Sequence, residues 1–241
     1  MKDGFFKNKI ESNLIDLELK FTSKGKQNIF AELKTAILRE YLKKKPYSKL
    51  EQKVYEKYED FLDLPIGEFL LKLKQNNDSF YKEFLNPNGD LEYCDFVLKN
   101  SKDFNLKGVY FYYVGNKLQY VGRCRDSMKE RVNNGYGHIT PKNCYKDGQT
   151  TNCKMNAFAN RYQKKIHLKL YPMNDNKKIE EYEEKLIKEL RPPLNVTFLK
   201  TGDTSISLHI LKSIVALVFK LGSFIGNLVI KMIRYGRRLL K

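Results

Sequence analysis

Cysteine is scarce in this chain, acid almost vanishes from residues 201–241, and no long apolar run opens it. Each shortage excludes something. Four cysteines, Cys94, Cys124, Cys144 and Cys153, are too few to staple 241 residues into a disulfide framework. They contain no Cys-x-x-Cys pair, so a zinc site built with His138 is not expected either. The opening stretch Met1-Lys2-Asp3-Gly4-Phe5-Phe6-Lys7 has no secretory core, so the expected compartment is a reducing cytoplasm. The formal charge of +17 is uneven along the chain. Residues 1–105 hold 19 basic and 18 acidic side chains, residues 106–200 hold 19 and 9, and residues 201–241 hold 7 and only Asp203. A basic segment attracts polyanions by steering and counterion release.

The length accommodates one large domain or two modest ones. Part of residues 13–21 alternates in the manner of a strand. Its Asp16, Glu18 and Lys20 form an acid-x-Lys pattern that suits a solvated strand edge. From Gln27 to about Leu85 the spacing is helical: Phe30, Leu33, Ile37 and Tyr41 share a face, and Pro46 and Pro65 break the run into several helices. Residues 1–105 therefore read as a mostly helical domain of unknown role.

The character changes at Leu106. Residues 108–114, Gly-Val-Tyr-Phe-Tyr-Tyr-Val, are aromatic and β-branched, and residues 117–122 return after the turn signal Gly115-Asn116, which makes a hairpin. A short helix is expected over 127–133, a long loop over 134–153, a helix over 155–164 and a third strand over 166–171. A last helix over 178–190 is ended by Arg191-Pro192-Pro193. The fold class is α+β: a small module over 106–200 with a three-stranded antiparallel sheet flanked by helices.

These residues carry a resemblance. Gly108-Val109-Tyr110 and Tyr120-Val121-Gly122, with their tyrosines ten apart, resemble the paired tripeptides that name the GIY-YIG nuclease family. A second Tyr-Val-Gly at 113–115 lies too close to Tyr110 to be the second half. Arg131 follows eleven residues past Tyr120, then Glu183, then Asn195 twelve later within Arg-Pro-Pro-Leu-Asn-Val, a block similar to the family's C-terminal signature. The resemblance spans about residues 106–199 and is closest to bacterial members. It implies an endonuclease that hydrolyses DNA with Mg²⁺ or Mn²⁺ held by Glu183, a hard oxygen ligand. Arg131 would present a fork of donors to phosphate, and Tyr120, with Tyr110, would take or relay the proton of the attacking water. A tyrosine is a poor base near pKa 10, so Arg123 and Arg125 are the candidates for a field that acidifies it. Asn195 would hold the loop geometry or bond within the site. The chain departs from the family in three places: Arg123 stands where many relatives have lysine, one extra residue separates Tyr120 from Arg131 compared with the repair members, and the segment 135–153 is long. Within that segment Tyr136 is a candidate phosphate contact or proton-transfer group, and His138 a candidate auxiliary base, histidine being the side chain that titrates nearest neutrality.

Residues 205–241 project as an amphipathic helix. Lys212, Lys220, Lys231, Arg234, Arg238 and Lys241 fall on one stripe, and Val215, Val218, Phe224 and Leu228 lie on the broad apolar face. Such a helix suits an anionic membrane surface, packing on protein or another copy of the chain through Gly222 and Gly226, or DNA. Lys220 at mid-span disfavours a transmembrane segment. The functional expectation is a DNA endonuclease, peripheral at the inner face of a membrane and suited to acting on foreign DNA. The alternative is a non-catalytic DNA-binding or membrane-tethering protein on the same fold.

Overall fold

The computed structural model describes residues 10–195. The amphipathic helix expected over 205–241 lies outside them. Up to Pro192 the chain clusters as one compact unit. The unit is mixed α/β, with a four-stranded antiparallel sheet, a two-stranded sheet and helices.

The strands are β1 (Ile15–Leu17), β2 (Leu19–Phe21), β3 (Phe96–Leu98), β4 (Gly108–Val114), β5 (Lys117–Cys124) and β6 (Ile166–Pro172). The larger sheet runs β1-β6-β4-β5, so β4 is central and β5 forms an edge. Three of these strands match the expected hairpin and third strand, but the sheet has four. The added strand comes from the amino-terminal segment, where the single expected strand divides at Glu18. Ahead of that residue β1 pairs with β6, and beyond it β2 pairs with β3. The acid-x-Lys pattern is structural: Asp16 pairs with Lys169 at 3.4 Å and Glu18 with Lys99 at 2.5 Å, both on the surface.

The helices are α1 (Leu38–Leu42), α2 (Glu51–Lys57), α3 (Ile66–Gln75), α4 (Thr150–Tyr162) and α5 (Asn176–Leu190). The expected helical run up to Leu85 contains α1–α3 and several short 3-10 turns. Its core takes in Phe30, Tyr41, Phe69 and Phe84, together with Ile139, Cys144, Tyr145 and Cys153 from the expected long loop. Tyr145 is fully buried and donates its hydroxyl to the Phe30 carbonyl at 3.0 Å. Residues expected on either side of position 105 therefore share a core as well as a sheet.

Strand β4 is buried on both faces. Val109 and Phe111 pack with Val121 of β5 and with Ile179, Leu186 and Ile187 of α5. Tyr110 and Tyr112 point the other way, as strand alternation requires. Helix α5 starts on a side-chain cap, Asp175 accepting from the Lys177 and Lys178 amides at 2.9 and 3.2 Å. It ends at Arg191 in the left-handed region, φ 46°.

On the tyrosine side, Asn156 of α4 fastens three segments. It is fully buried, donates to the carbonyls of Cys94 and Tyr136 at 2.7 and 2.6 Å, and accepts from the Cys94 amide at 2.9 Å. Its removal would strand buried backbone groups that cost about 1–3 kcal/mol each. Asn156→Ala is therefore expected to destabilise the protein by at least about 2 kcal/mol, measured by urea unfolding. A loss below about 0.5 kcal/mol would show that water replaces these bonds.

Candidate active site

The hairpin, the segment after it and α5 converge on the edge of the sheet at β5. Tyr110 on β4 and Tyr120 on β5 lie with ring centroids 6.2 Å apart. Gly122, the glycine of the second tripeptide, is required by Tyr110: a Cβ there would sit 2.4 Å from its hydroxyl and Cζ. Gly108 has a different reason, with φ 149° and a Cβ position 2.0 Å from the Tyr171 carbonyl oxygen of β6.

Arg131 and Tyr136 lie on the segment Lys129–Tyr136, which is a π-helix rather than the expected short α-helix. The Gly137 amide bonds back five residues to the Val132 carbonyl at 2.6 Å. The wider turn brings residues five apart onto one side, and the Arg131 guanidinium lies 5.9 Å from the centroid of the Tyr136 ring. Gly137 leaves room for β3, since a Cβ on it would sit 1.9 Å from the Phe96 carbonyl oxygen. Tyr136 is buried, and its hydroxyl is 2.8 Å from that of Tyr110. Tyr112, two residues beyond Tyr110 on the same face, has its ring 6.3 Å from Tyr136. Its hydroxyl and the Nε of Arg131 are both buried and have no hydrogen-bond partner.

Glu183 lies on the buried side of α5, in step with Ile179, Leu186 and Ile187, and is 6 % exposed. The Arg123 guanidinium bonds to it at 2.7 Å and to Glu180 at 3.1 Å. Arg125 stands 3.7 Å from Glu180 and is exposed. Burial pushes the Glu183 carboxyl above the ordinary carboxylate range, although Arg123 and, more weakly, Arg131 pull it down. The charges of Arg131 and Glu183 both act on Tyr120. Tyr110, Tyr120, Tyr136, Arg123, Arg131 and Glu183 thus form one neighbourhood.

One sequence expectation is corrected. The cationic field expected to acidify Tyr120 is taken up by carboxylates, because Arg123 faces Glu183 and Glu180. Burial, then Tyr136 and Glu183, raise the Tyr120 phenol above its ordinary value, and Arg131 only partly opposes them. Tyr110 is raised well above, first by burial and then by its neighbouring tyrosines. His138, the candidate auxiliary base, has an exposed ring whose Nδ1 is 3.0 Å from Asp95. Asp95 also binds Lys26 at 3.0 Å and Ser23 at 2.8 Å, and these partners hold its carboxyl below the ordinary range against burial. Asn195 is buried and follows Pro192, where the compact unit ends. Sequence reasoning missed Tyr112 and Asn156. Alternation with Tyr110 was the available signal for the first, and a polar residue in step with Cys153 and Ala159 for the second.

The donor set fits a divalent cation held through one carboxylate. Glu183 is a hard oxygen ligand, buried and held by Arg123 at 2.7 Å. Among the described residues no group of three or more His, Cys, Asp or Glu side chains is placed to hold a metal. The other coordination positions would therefore fall to water and phosphate oxygens. A carboxyl raised by burial destabilises the fold in its ionised form at neutral pH, and this cost disappears below the unfolded carboxylate range. Glu183→Gln in EDTA is accordingly expected to raise Tm by about 1–4 °C at pH 7, with the gain shrinking toward pH 4. Calorimetry across this range checks it, and a Tm lowered at pH 7 would show that the Arg123 pair outweighs the burial. Comparison of the chain with protein-family models, curated proteins and solved structures finds no match.

Proposed function

We propose that the chain is a metal-dependent endonuclease of the GIY-YIG type that hydrolyses phosphodiester bonds in DNA. The observation that carries this reading is the convergence of a buried carboxylate, a guanidinium with an unpartnered Nε and three tyrosine hydroxyls at one edge of a sheet. A core would not gather these groups for stability alone, since each is costly to bury without a full set of partners. The excess of basic over acidic residues in 106–200 supports a polyanionic substrate.

In the reaction, a water oxygen bonds to phosphorus and gives up one proton to solvent through the tyrosine hydroxyls, the bond to the leaving oxygen breaks, and that oxygen takes up a proton from solvent. Arg131 presents its remaining donors to the non-bridging oxygens, where negative charge builds up. Tyr110 and Tyr120, raised above their ordinary values, are protonated at neutral pH. They therefore orient water and phosphate as hydroxyl donors, and Tyr120 accepts a proton only as it passes its own on. The hydroxyl of Tyr136 supplies the next position in that chain, 2.8 Å from Tyr110. Arg123 fixes the rotamer of Glu183. Glu183 would hold Mg²⁺ or Mn²⁺, which when bound stabilises charge on the phosphate and acidifies water.

No helix among the described residues is long and apolar enough to cross a membrane. A peripheral position at the inner face of a membrane, and self-association, are parts of the proposal that rest on the sequence of 205–241 alone.

Supercoiled plasmid, incubated with wild type and Glu183→Ala in Mg²⁺ or Mn²⁺ and in EDTA, tests the activity. Wild type is expected to cut only with metal, and the variant to be slower by more than about a hundredfold. Equal cutting by the two proteins would remove Glu183 from the site. Binding of DNA by both without cutting would establish the non-catalytic DNA-binding alternative.

A further inference from the structure

A second concentration of positive charge lies away from the tyrosine site. A cleft of about 740 Å³ opens where the C-terminal end of α4 meets the Lys24–Gly25 turn and the end of β4. Lys24, Arg161, Lys164 and Lys165 line it against one acid, Glu92. All four cations are exposed, and none forms an ion pair with another described residue. Elsewhere in the unit Lys26, Lys72, Lys74, Lys99, Lys142 and Lys169 each face a carboxylate.

Helix chemistry accounts for part of this cluster, since cations are favoured beside the carbonyls that end a helix. It does not account for Lys24, which comes from the far amino-terminal segment. That segment is tied to the helix end by two side chains: Asn160 accepts the Gly25 amide at 3.1 Å, and Gln163 donates to the Ser23 carbonyl at 3.4 Å. Gly25, at φ +64°, makes the turn that allows it. Tyr162 adds a partly exposed aromatic wall, braced by Phe158 with ring centroids 5.0 Å apart. Unpaired cations beside an exposed ring match the two parts of a single strand, its backbone charge and its unstacked bases.

The cleft also has a defined place relative to the site. Val114, at its edge, lies on the same face of β4 as Tyr110 and Tyr112. Val114 lies four positions after Tyr110, about 13 Å along the strand.

We propose that the cleft binds a single DNA strand, its phosphates on Lys24, Arg161, Lys164 and Lys165 and a base on Tyr162. This binding does not rest on the nuclease reading. The test is fluorescence anisotropy of a labelled single-stranded DNA with the full chain in EDTA, titrated with salt, using variants of matched Tm. Arg161→Ala/Lys164→Ala is expected to bind about tenfold more weakly and to reduce the salt slope by about 1.4, some 0.7 per phosphate contact. Lys45→Ala/Lys49→Ala removes the same charge from exposed positions outside the cleft and is expected to leave the slope unchanged. Tyr162→Leu should weaken single-strand binding while Tyr162→Phe preserves it, and duplex binding should be little affected by either. The inference is overturned if both double variants lower the slope equally, if the cleft variant leaves it unchanged, or if Tyr162→Leu binds single strands as wild type does. EDTA removes cleavage from the readout. A chain that binds single strands through the cleft and never cuts plasmid would overturn the nuclease reading and leave this one standing.

Discussion

The central strand β4 must be buried on both faces, and this constraint organises the rest of the structure. One face is apolar and is closed by α5 through ordinary side-chain packing. The other carries Tyr110 and Tyr112, whose hydroxyls cannot enter a core without partners or cost. The solution is a second polar layer, in which the π-helical segment brings Tyr136 to the Tyr110 hydroxyl and Asn156 fixes that segment from behind. The glycines of the two tripeptides follow from the same constraint: Gly122 gives way to the Tyr110 ring, and Gly108 to the backbone of β6.

Charge is arranged with equal economy at the sheet edge. Glu183 occupies a position on α5 that helical periodicity reserves for an apolar residue, and a single guanidinium, Arg123, supports it there. The burial that raises its carboxyl is the condition under which a hard cation or a phosphate-binding network gains most from it. The same low polarity keeps the phenols of Tyr110 and Tyr120 protonated. Carboxylate and phenols are therefore tuned together by one environment.

The amino-terminal half is a structural part of the unit that bears this site. It contributes a strand to the sheet through β1, much of the wall that receives Tyr145 and Cys153, and the Lys24 turn beside α4. The segment 134–153, read from composition as a long loop, is instead the tie between the halves. Its Tyr145 and Ile139 are buried among side chains from the amino-terminal helices.

The sequence by itself determined the hairpin, the third strand and the last helix, because alternation, a Gly-Asn turn and a Pro-Pro stop are local signals. Tyr110 and Tyr120 share that hairpin, whereas Glu183 stands out among four neighbouring acids only by its offset to the Leu186-Ile187 pair and to Asn195. Only the tertiary structure decided the rest. The pairing of β1 with β6 joins residues more than 150 positions apart, and no local pattern encodes that register. The π-helical segment closes through a bond from the Gly137 amide to the Val132 backbone carbonyl, which composition does not reveal. The direction of Arg123, toward two carboxylates and away from the role of acidifying Tyr120, was settled by where α5 lands on the sheet. Electrostatic roles depend on distance through space, and distance is what a linear reading lacks.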